Sequence, residues 1–318
     1  MTVTVALPVL DGGPRLGEVL AAVRAQEVDR PVELLVIDSG STDGSPAIAR
    51  SHGARVVEIP PAEFSHGGTR NRLMELAAGD HVAFLTQDAV PAGHGWLAAL
   101  LGGFALADDV ALVTGPYLPR PDASPMVRRE LRDYFATFGG ARVDRGAAGA
   151  GPATFFSSAN GAVARWAWER VPFRPLPYAE DQQLARDVLA AGLAKAYVPE
   201  AAVVHSHDHP PLRALRRYFD DFRALAEVHG HREPMTPRYV AARVRGDVAA
   251  DRAFMRREGL AGRALETATV RALAHHAARS LGRSLGSNAD RLPAWARQKL
   301  SLDGRASFEP MDGAGRHA

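Results

Sequence analysis

Strand-like and helix-like stretches alternate from Val3 to Thr114, and that alternation leaves few folds open. A short apolar, β-branched run over residues 3–7, ended by Pro8, predicts a buried strand. Leu16, Val19, Leu20 and Val23 recur at helical spacing, so residues 15–26 predict a helix. Strands are expected over 33–37, 55–59, 81–85 and 110–114, and helices over 46–51, 68–78 and 96–106. Pro46 suits a first helical position, and Gly79 suits a stop. The pattern implies an α/β fold, Rossmann-like, with a mostly parallel sheet and helices on both faces. Ligands in such folds bind beyond the carboxyl ends of the strands. Asp38-Ser39-Gly40-Ser41 and Thr86-Gln87-Asp88 fall at those ends, with Pro8 and His66 expected on the same rim.

Past Gly115 the pattern is less regular, and Gly146 to Gly151 predicts a flexible Gly/Ala loop. A helix over 180–191 and strands over 194–198 and 201–204 close the alternating part. Pro210-Pro211 marks a boundary, beyond which the chain is Arg-rich and helical. The expected division is a catalytic domain over 1–210, a basic helical region over 211–300 and a disordered tail over 301–318.

Charge follows this division. The formal net charge is only +2, but residues 1–210 balance to −6 and residues 211–318 to +8. Absence of cysteine excludes disulfides, thiolate zinc sites and cysteine nucleophiles. The longest apolar run, Trp96 to Ala107, is far short of the ~20 residues of a membrane span. The start of the chain has no basic region followed by a cleavage site, so a cytoplasmic protein is expected. Its basic region is expected to touch the inner face of the plasma membrane. On that region Leu212, Leu215, Phe219, Phe222 and Ala226 share one helical face, open to two readings: packing on the rest of the protein, or an interfacial surface on anionic lipid. Interspersed acids and the lack of a recognition motif argue against nucleic acid.

Two common phosphate-binding devices are missing. The loop after the first strand, Pro8-Val9-Leu10-Asp11-Gly12-Gly13-Pro14, is not G-x-G-x-x-G, and no G-x-x-x-x-G-K-[ST] occurs. A bound nucleotide would need a metal on carboxylates, or arginine. Val36-Ile37-Asp38-Ser39-Gly40-Ser41-Thr42-Asp43 resembles the second-strand motif of glycosyltransferase family 2, of GT-A fold. Phe64-Ser65-His66-Gly67-Gly68-Thr69-Arg70-Asn71 and Thr86-Gln87-Asp88-Ala89 resemble its rhamnosyltransferase-like branch. Ser158-Ala159-Asn160-Gly161, Ala179-Glu180-Asp181-Gln182 and His205-Ser206-His207 follow in that branch's order, so the resemblance covers roughly residues 1–225.

The resemblance implies an inverting transferase that moves a sugar, rhamnose from dTDP-rhamnose or a sugar from a UDP donor, to a glycan or polyprenyl-linked acceptor in cell-surface polysaccharide synthesis. Asp181 is then the general base, supported by Glu180. Two acids at a helix start are also favoured by the helix dipole alone. Asp38, with Pro8 and Ser39, is implied at the nucleobase; equally, Asp38 caps its own turn. His66, Arg70 and Asn71 form a candidate anion site at a helix start, with Arg70 otherwise a solvated surface residue. Gln87 and Asp88 stand where the family carries Asp-x-Asp, which leaves one carboxylate for Mg²⁺ or Mn²⁺. Either His205 or His207 completes that metal shell. Asn160 is expected to line the sugar pocket. Trp166 and Trp168 either stack on acceptor sugar or pack in the core. Two other classes stay open: a sugar-nucleotide nucleotidyltransferase, and a binding module without turnover.

Overall fold

The computed structural model describes residues 2–146 and 149–308, and these divide into two compact units. The first comprises residues 2–118 and 135–205. Its strands are β1 (Val3–Val9), β2 (Val32–Asp38), β3 (Arg55–Glu58), β4 (His81–Leu85), β5 (Val90–Pro91), β6 (Val110–Thr114), β7 (Tyr117–Leu118), β8 (Arg142–Arg145), β9 (Asn160–Ala164), β10 (Ala194–Tyr197) and β11 (Val203–Val204). Its helices are α1 (Gly13–Arg24), α2 (Ser45–Ser51), α3 (His66–Leu76) and α4 (Trp96–Gly103), followed after α5 by α6 (Arg165–Arg170) and α7 (Glu180–Ala190). Helix α5 (Pro125–Ala136) belongs to the second unit as far as Tyr134.

Eight strands form one sheet in the order β3-β2-β1-β4-β9-β6-β10-β8, and β5-β11-β7 form a small second sheet. Strands β1 to β4 pair in parallel, as the alternation predicts. Val3, Val5, Leu7 and Val9 point to one face and pack with Leu16, Val19, Leu20 and Val23 of α1. Ala6, Leu35 and Ile37 point to the other, against Leu73 and Met74 of α3. That period of two, buried on both sides, explains why β1 carries almost no polar residue. Pro8 does not end β1, which continues to Val9. Strand β4 pairs with β1 only as far as Ala6, so Pro8 lies where one edge is unpaired and a missing N–H is tolerated.

Two strands of the large sheet depart from the expected pattern: β8 runs antiparallel to β10 at the sheet's edge, and β9 lies inside the sheet. β9 runs antiparallel between β4 and β6, with Asn160 opposite Leu85. The sequence around it predicts a motif rather than a strand. Its all-buried Asn160–Ala164 run lacks the alternation that would mark it.

The second unit comprises residues 119–134 and 206–308. It holds most of α5 together with α8 (Pro211–His229), α9 (Pro237–Arg257), α10 (Gly262–Gly286) and α11 (Ala294–Leu300). Two expectations change here. Residues 119–134, assigned to the catalytic domain by sequence, pack with the C-terminal helices: Met126 clusters with Met255, Leu265 and Ala272. The start of the expected disordered tail is docked on α8. Ser301 and the Leu302 amide bond Asp220, and Arg223 donates to the carbonyls of Arg305 and Ala306. Residues 309–318, and Ala147 and Ala148 of the expected flexible loop, lie outside the described residues.

The apolar face of α8 takes the packing alternative. Phe219 and Phe222 are buried, and α10 approaches closely at two glycines. A Cβ on Gly282 would fall 2.4 Å from the Leu215 carbonyl oxygen, and one on Gly286 2.2 Å from that of Phe219. Neither position can carry a side chain without separating the helices. No helix among the described residues is long and apolar enough to cross a membrane.

Candidate active site

The carboxyl ends of β1, β2 and β4 form a rim. At the end of β2, Asp38 is 1% exposed, and its Oδ1 accepts from the amides of Gly40 and Ser41. Its Oδ2 is buried without a hydrogen-bond partner. The two readings of this residue therefore coexist, one on each oxygen: Oδ1 caps the turn, and Oδ2 is available to an N–H donor. An orphaned buried carboxylate oxygen is costly unless a ligand satisfies it. Ser39 does not share that role, because its hydroxyl donates to the Val9 carbonyl.

The loop after β1 is tied to the loop after β2. The amides of Asp11, Gly12 and Gly13 donate to the side chains of Ser41, Ser45 and Asp43, and Asp11 Oδ1 accepts from the Thr42 amide. Asp11 sits at φ 48°, a conformation rare outside glycine. From the sequence, Asp11, Ser41, Asp43 and Ser45 carry no role of their own. The signal that marks them is the pairing of two Gly-Asp-Ser-rich loops after adjacent parallel strands.

Three amide side chains expected to bind donor are already committed. Gln87 accepts from the Leu10 amide and donates to the Leu10 carbonyl, so it holds the loop after β1. Asn71 donates to the Phe173 carbonyl and accepts from Trp168 Nε1 and the Phe173 amide. Asn160 is fully buried; it accepts from Trp96 Nε1 and donates to the carbonyls of Pro116 and Ala201. Asn160 thus spends both N–H groups on the framework and is buried there, whereas Gln87 and Asn71 brace the fold with part of their hydrogen-bonding capacity. Trp168 is accordingly part of this framework, whereas Trp166 is 44% exposed.

Arg70 is 6% exposed and is not a solvated surface residue. Its Nη1 lies 3.0 Å from Glu180 Oε1 and also donates to the His66 carbonyl. Beside it, the His66 ring makes edge contacts with Phe64 and Tyr178. Arg70 therefore fixes Glu180, and the positive charge expected for an anion is used on a carboxylate.

Asp181 is next to that pair, on the first turn of α7. The preceding Ala179 is left-handed, at φ 57°, an uncommon cost for an alanine and one that reorients the chain just before the two acids. Asp181 Oδ2 accepts from the Ser158 amide at 3.0 Å, and Oδ1 from the Gln182 amide at 2.8 Å. Because Asn160 pairs with Leu85, Ser158 lies by the carboxyl end of β4, which brings Asp181 to the same rim as Asp88. Burial raises the Asp181 pKa to about 6, and the charge of Glu180 adds to the rise. Arg70 and the two amides oppose it.

Asp88 follows β4 and meets His205, which follows β11. Their Oδ1 and Nδ1 atoms are 3.5 Å apart, a spacing that two ligands of one cation adopt. The His205 amide donates to the Leu118 carbonyl, and its ring packs edge-on against Tyr117. An oxygen and an imidazole nitrogen at this spacing fit a divalent cation, so the donor chemistry of Asp88 and His205 suits Mn²⁺ and, less strongly, Mg²⁺. His207 belongs to the second unit, where it is exposed and stacks on His209.

Residues 4–160 match the family model described as Glycosyl transferase family 2. An O-antigen chain rhamnosyltransferase of Salmonella anatum is 34% identical over 61% of this chain and 63% of its own length. A second, from Salmonella typhimurium, is 31% identical over 69% of this chain and 71% of its own. Among solved structures, a mannosyltransferase of Pyrobaculum calidifontis in complex with GDP-Man and Mn²⁺ superposes with a TM-score of 0.59. It covers 91% of this chain and 88% of its own at 20% identity, a likeness of fold that bears out the GT-A expectation. By its matched domain and its rhamnosyltransferase relatives, the chain belongs to glycosyl transferase family 2.

Proposed function

We propose that this protein is an inverting glycosyltransferase that moves rhamnose from dTDP-rhamnose to a hydroxyl of a glycan or polyprenyl-linked acceptor, in cell-surface polysaccharide synthesis. The observation that carries the reaction class is Asp181: a carboxylate held by two amides, with a pKa of about 6, beside a Glu180 that is paired with Arg70. A base is most effective when its pKa is near the working pH. Asp181 takes the proton of the acceptor hydroxyl as that oxygen attacks the anomeric carbon. The bond from that carbon to the nucleoside diphosphate breaks on the opposite face. Glu180, paired with Arg70, raises the basicity of Asp181 through its charge and does not itself take the proton.

Asp38 Oδ2 accepts the ring N–H of the pyrimidine. That group is common to thymine and uracil; the rhamnose preference is supported by the two O-antigen rhamnosyltransferase relatives, and dTDP as its carrier by the motif resemblance alone. Asp88 and His205 would hold a divalent cation, Mn²⁺ or Mg²⁺. Such a cation supplies charge neutralisation for a leaving diphosphate. A nucleotidyltransferase is disfavoured by the loop after β1, whose amides are spent on Ser41, Asp43 and Ser45 rather than offered to phosphate.

The second unit is proposed to meet the acceptor or an anionic membrane surface. Its helices α9 and α10 border an apolar groove of about 940 Å³ whose lining includes Val240, Val244, Val248, Leu273 and Leu281 together with Arg245 and Arg252. This groove, rather than the face of α8, is the surface suited to an interface with lipid.

The test is Asp181→Asn. Turnover is expected to fall by about 10²–10⁴-fold while calorimetric binding of the donor persists. Near-wild-type turnover would overturn the assignment. In the same assay, binding of UDP-sugars alone would replace dTDP-rhamnose as donor and leave the reaction class standing.

A further inference from the structure

The second unit contains a buried cluster that the transfer reaction does not use. Glu130 of α5 and His275 and His276 of α10 bring three potential ligand atoms within 4.8 Å of one another. Glu130 Oε1 is 3.4 Å from His275 Nε2 and 3.5 Å from His276 Nδ1. Both distances are long for hydrogen bonds. Asp247 Oδ2 of α9 adds a fourth oxygen, 3.8 Å from His276 Nδ1. All four of these atoms are buried, and His276 is 0% exposed. Glu130 Oε1 and Asp247 Oδ2 have an ion-pair contact with Arg279 Nη1, at 3.0 and 3.5 Å, whereas His275 Nε2 and His276 Nδ1 make no hydrogen bond. Two buried imidazole nitrogens without a hydrogen bond, aimed at one carboxylate oxygen, leave ligand capacity that a cation would satisfy.

The spacing says what fits. A tetrahedral ion with bonds of about 2.0–2.2 Å holds its ligand atoms about 3.3–3.6 Å apart. Two imidazoles and a carboxylate suit zinc better than magnesium or calcium. The surroundings agree. His276 Nε2 meets Asp251 Oδ2 at 2.5 Å, and Asp251 in turn receives Arg129. A proton on Nε2 leaves the Nδ1 lone pair facing the cluster, the carboxylate–histidine arrangement common behind metal ligands. Three carboxylates (Glu130, Asp247 and Asp251) face two guanidiniums, Arg129 and Arg279. With neutral imidazoles the cluster is net negative and attracts a cation. Arg279, 3.0 Å from Glu130 Oε1, sits as a neighbour of that carboxylate.

We propose that Glu130, His275 and His276, with Asp247 beside them, bind one Zn²⁺-class ion that ties together α5, α9 and α10. This site is separate from Asp88, His205 and His207 and does not depend on the proposed reaction.

The test uses the full chain stripped by chelator. It carries Asp88→Asn, His205→Ala and His207→Ala, which removes the other candidate ligands. Zn²⁺ is expected to bind at one per chain with Kd below about 1 µM, and to raise the Tm. Co²⁺ is expected to give the intense visible bands of a four-coordinate ion. Glu130→Gln and His275→Gln in that background should each weaken Zn²⁺ binding by at least about 100-fold. Asp251→Asn should weaken it by about 10–100-fold. His275→Gln, on the partly exposed ligand, carries the test if Glu130→Gln does not fold. No tight Zn²⁺ in the stripped background chain, or unchanged affinity in His275→Gln, would overturn the site and leave an ion network.

Discussion

Two adjacent acids, Glu180 and Asp181, receive different treatment from the fold. Glu180 is buried against Arg70, while Asp181 keeps only amide donors and is raised to about 6. Activity that needs ionised Asp181 should rise with pH through about 6 and level off above it, read as kcat/KM against pH. The same shift has a stability consequence of fixed sign. The folded pKa lies above the unfolded value of 3.8, so the folded state binds the proton more tightly. Stability from this group is greatest below about pH 4 and is lost as pH rises to about 6. At most ~3 kcal/mol is involved. Between pH 4 and pH 7, wild type should lose stability relative to Asp181→Asn, measured by urea unfolding at each pH; a gap that does not change would contradict the raised pKa. At this scale the sequence was a partial guide. Asp38, Asp88 and Asp181 are acids at strand or helix ends and could be found by position. Gln87, Asn71 and Asn160 could not be understood in the same way. Their partners lie 41 to 102 residues away, at Leu10, Phe173, Trp168, Trp96, Pro116 and Ala201, and no local pattern encodes them.

The elements that position the site divide along similar lines. Strands β1, β2 and β4 and helices α1 and α3 follow from apolar period and stop residues, because each is a local pattern over several turns or pleats. Strand β9 does not, although it sits at the centre of the sheet. Its five residues are all buried, and its direction is set by neighbours distant in sequence. The cost of that placement is concentrated in Asn160. Its side chain satisfies Trp96 and the carbonyls of Pro116 and Ala201, so it joins β9 to α4 and to the segments flanking β7 and β11. Asn160→Ala would leave Trp96 Nε1 and the Ala201 carbonyl buried without partners, whereas the Pro116 carbonyl keeps the Val203 amide. A loss of about 2–4 kcal/mol is expected, measured by urea unfolding. A loss under about 1 kcal/mol would mean that water or relaxation replaces the amide. Asn160→Asp tests the same brace differently: it keeps an acceptor for Trp96 but turns carboxylate oxygen toward two carbonyls, and should destabilise at neutral pH more than at pH 4.

For the whole molecule, the charge asymmetry in the sequence survives but its boundary moves. The described residues of the second unit, 119–134 and 206–308, hold 23 Lys+Arg and 14 Asp+Glu. A boundary at Pro210 looked natural because Pro-Pro ends a strand-rich stretch. A discontinuous unit leaves no such mark, since α5 joins the C-terminal helices through Glu130 and Met126, far from them in sequence. Truncation at 210 would strip α5 of those partners and confuse lost folding with lost function. Charge and salt offer a cleaner probe of the full chain. The apolar groove beside α9 and α10 has Arg245 and Arg252 in its lining, and Arg238, Arg256, Arg257 and Arg271 are exposed on the same two helices. Basic residues near an anionic bilayer contribute about 1 kcal/mol each, and salt screens them over about 10 Å at 0.1 M. The full chain should therefore co-sediment with phosphatidylglycerol-containing vesicles and not with phosphatidylcholine vesicles, and binding should fall steeply between 0.05 and 0.5 M NaCl as about a tenfold or greater loss. Arg245→Glu with Arg238→Glu should reduce vesicle binding by about tenfold or more and leave calorimetric binding of the donor unchanged. Equal binding to both vesicle types would assign the groove to apolar contact alone. No binding to either would direct the positive charge of this unit to the acceptor's own diphosphate.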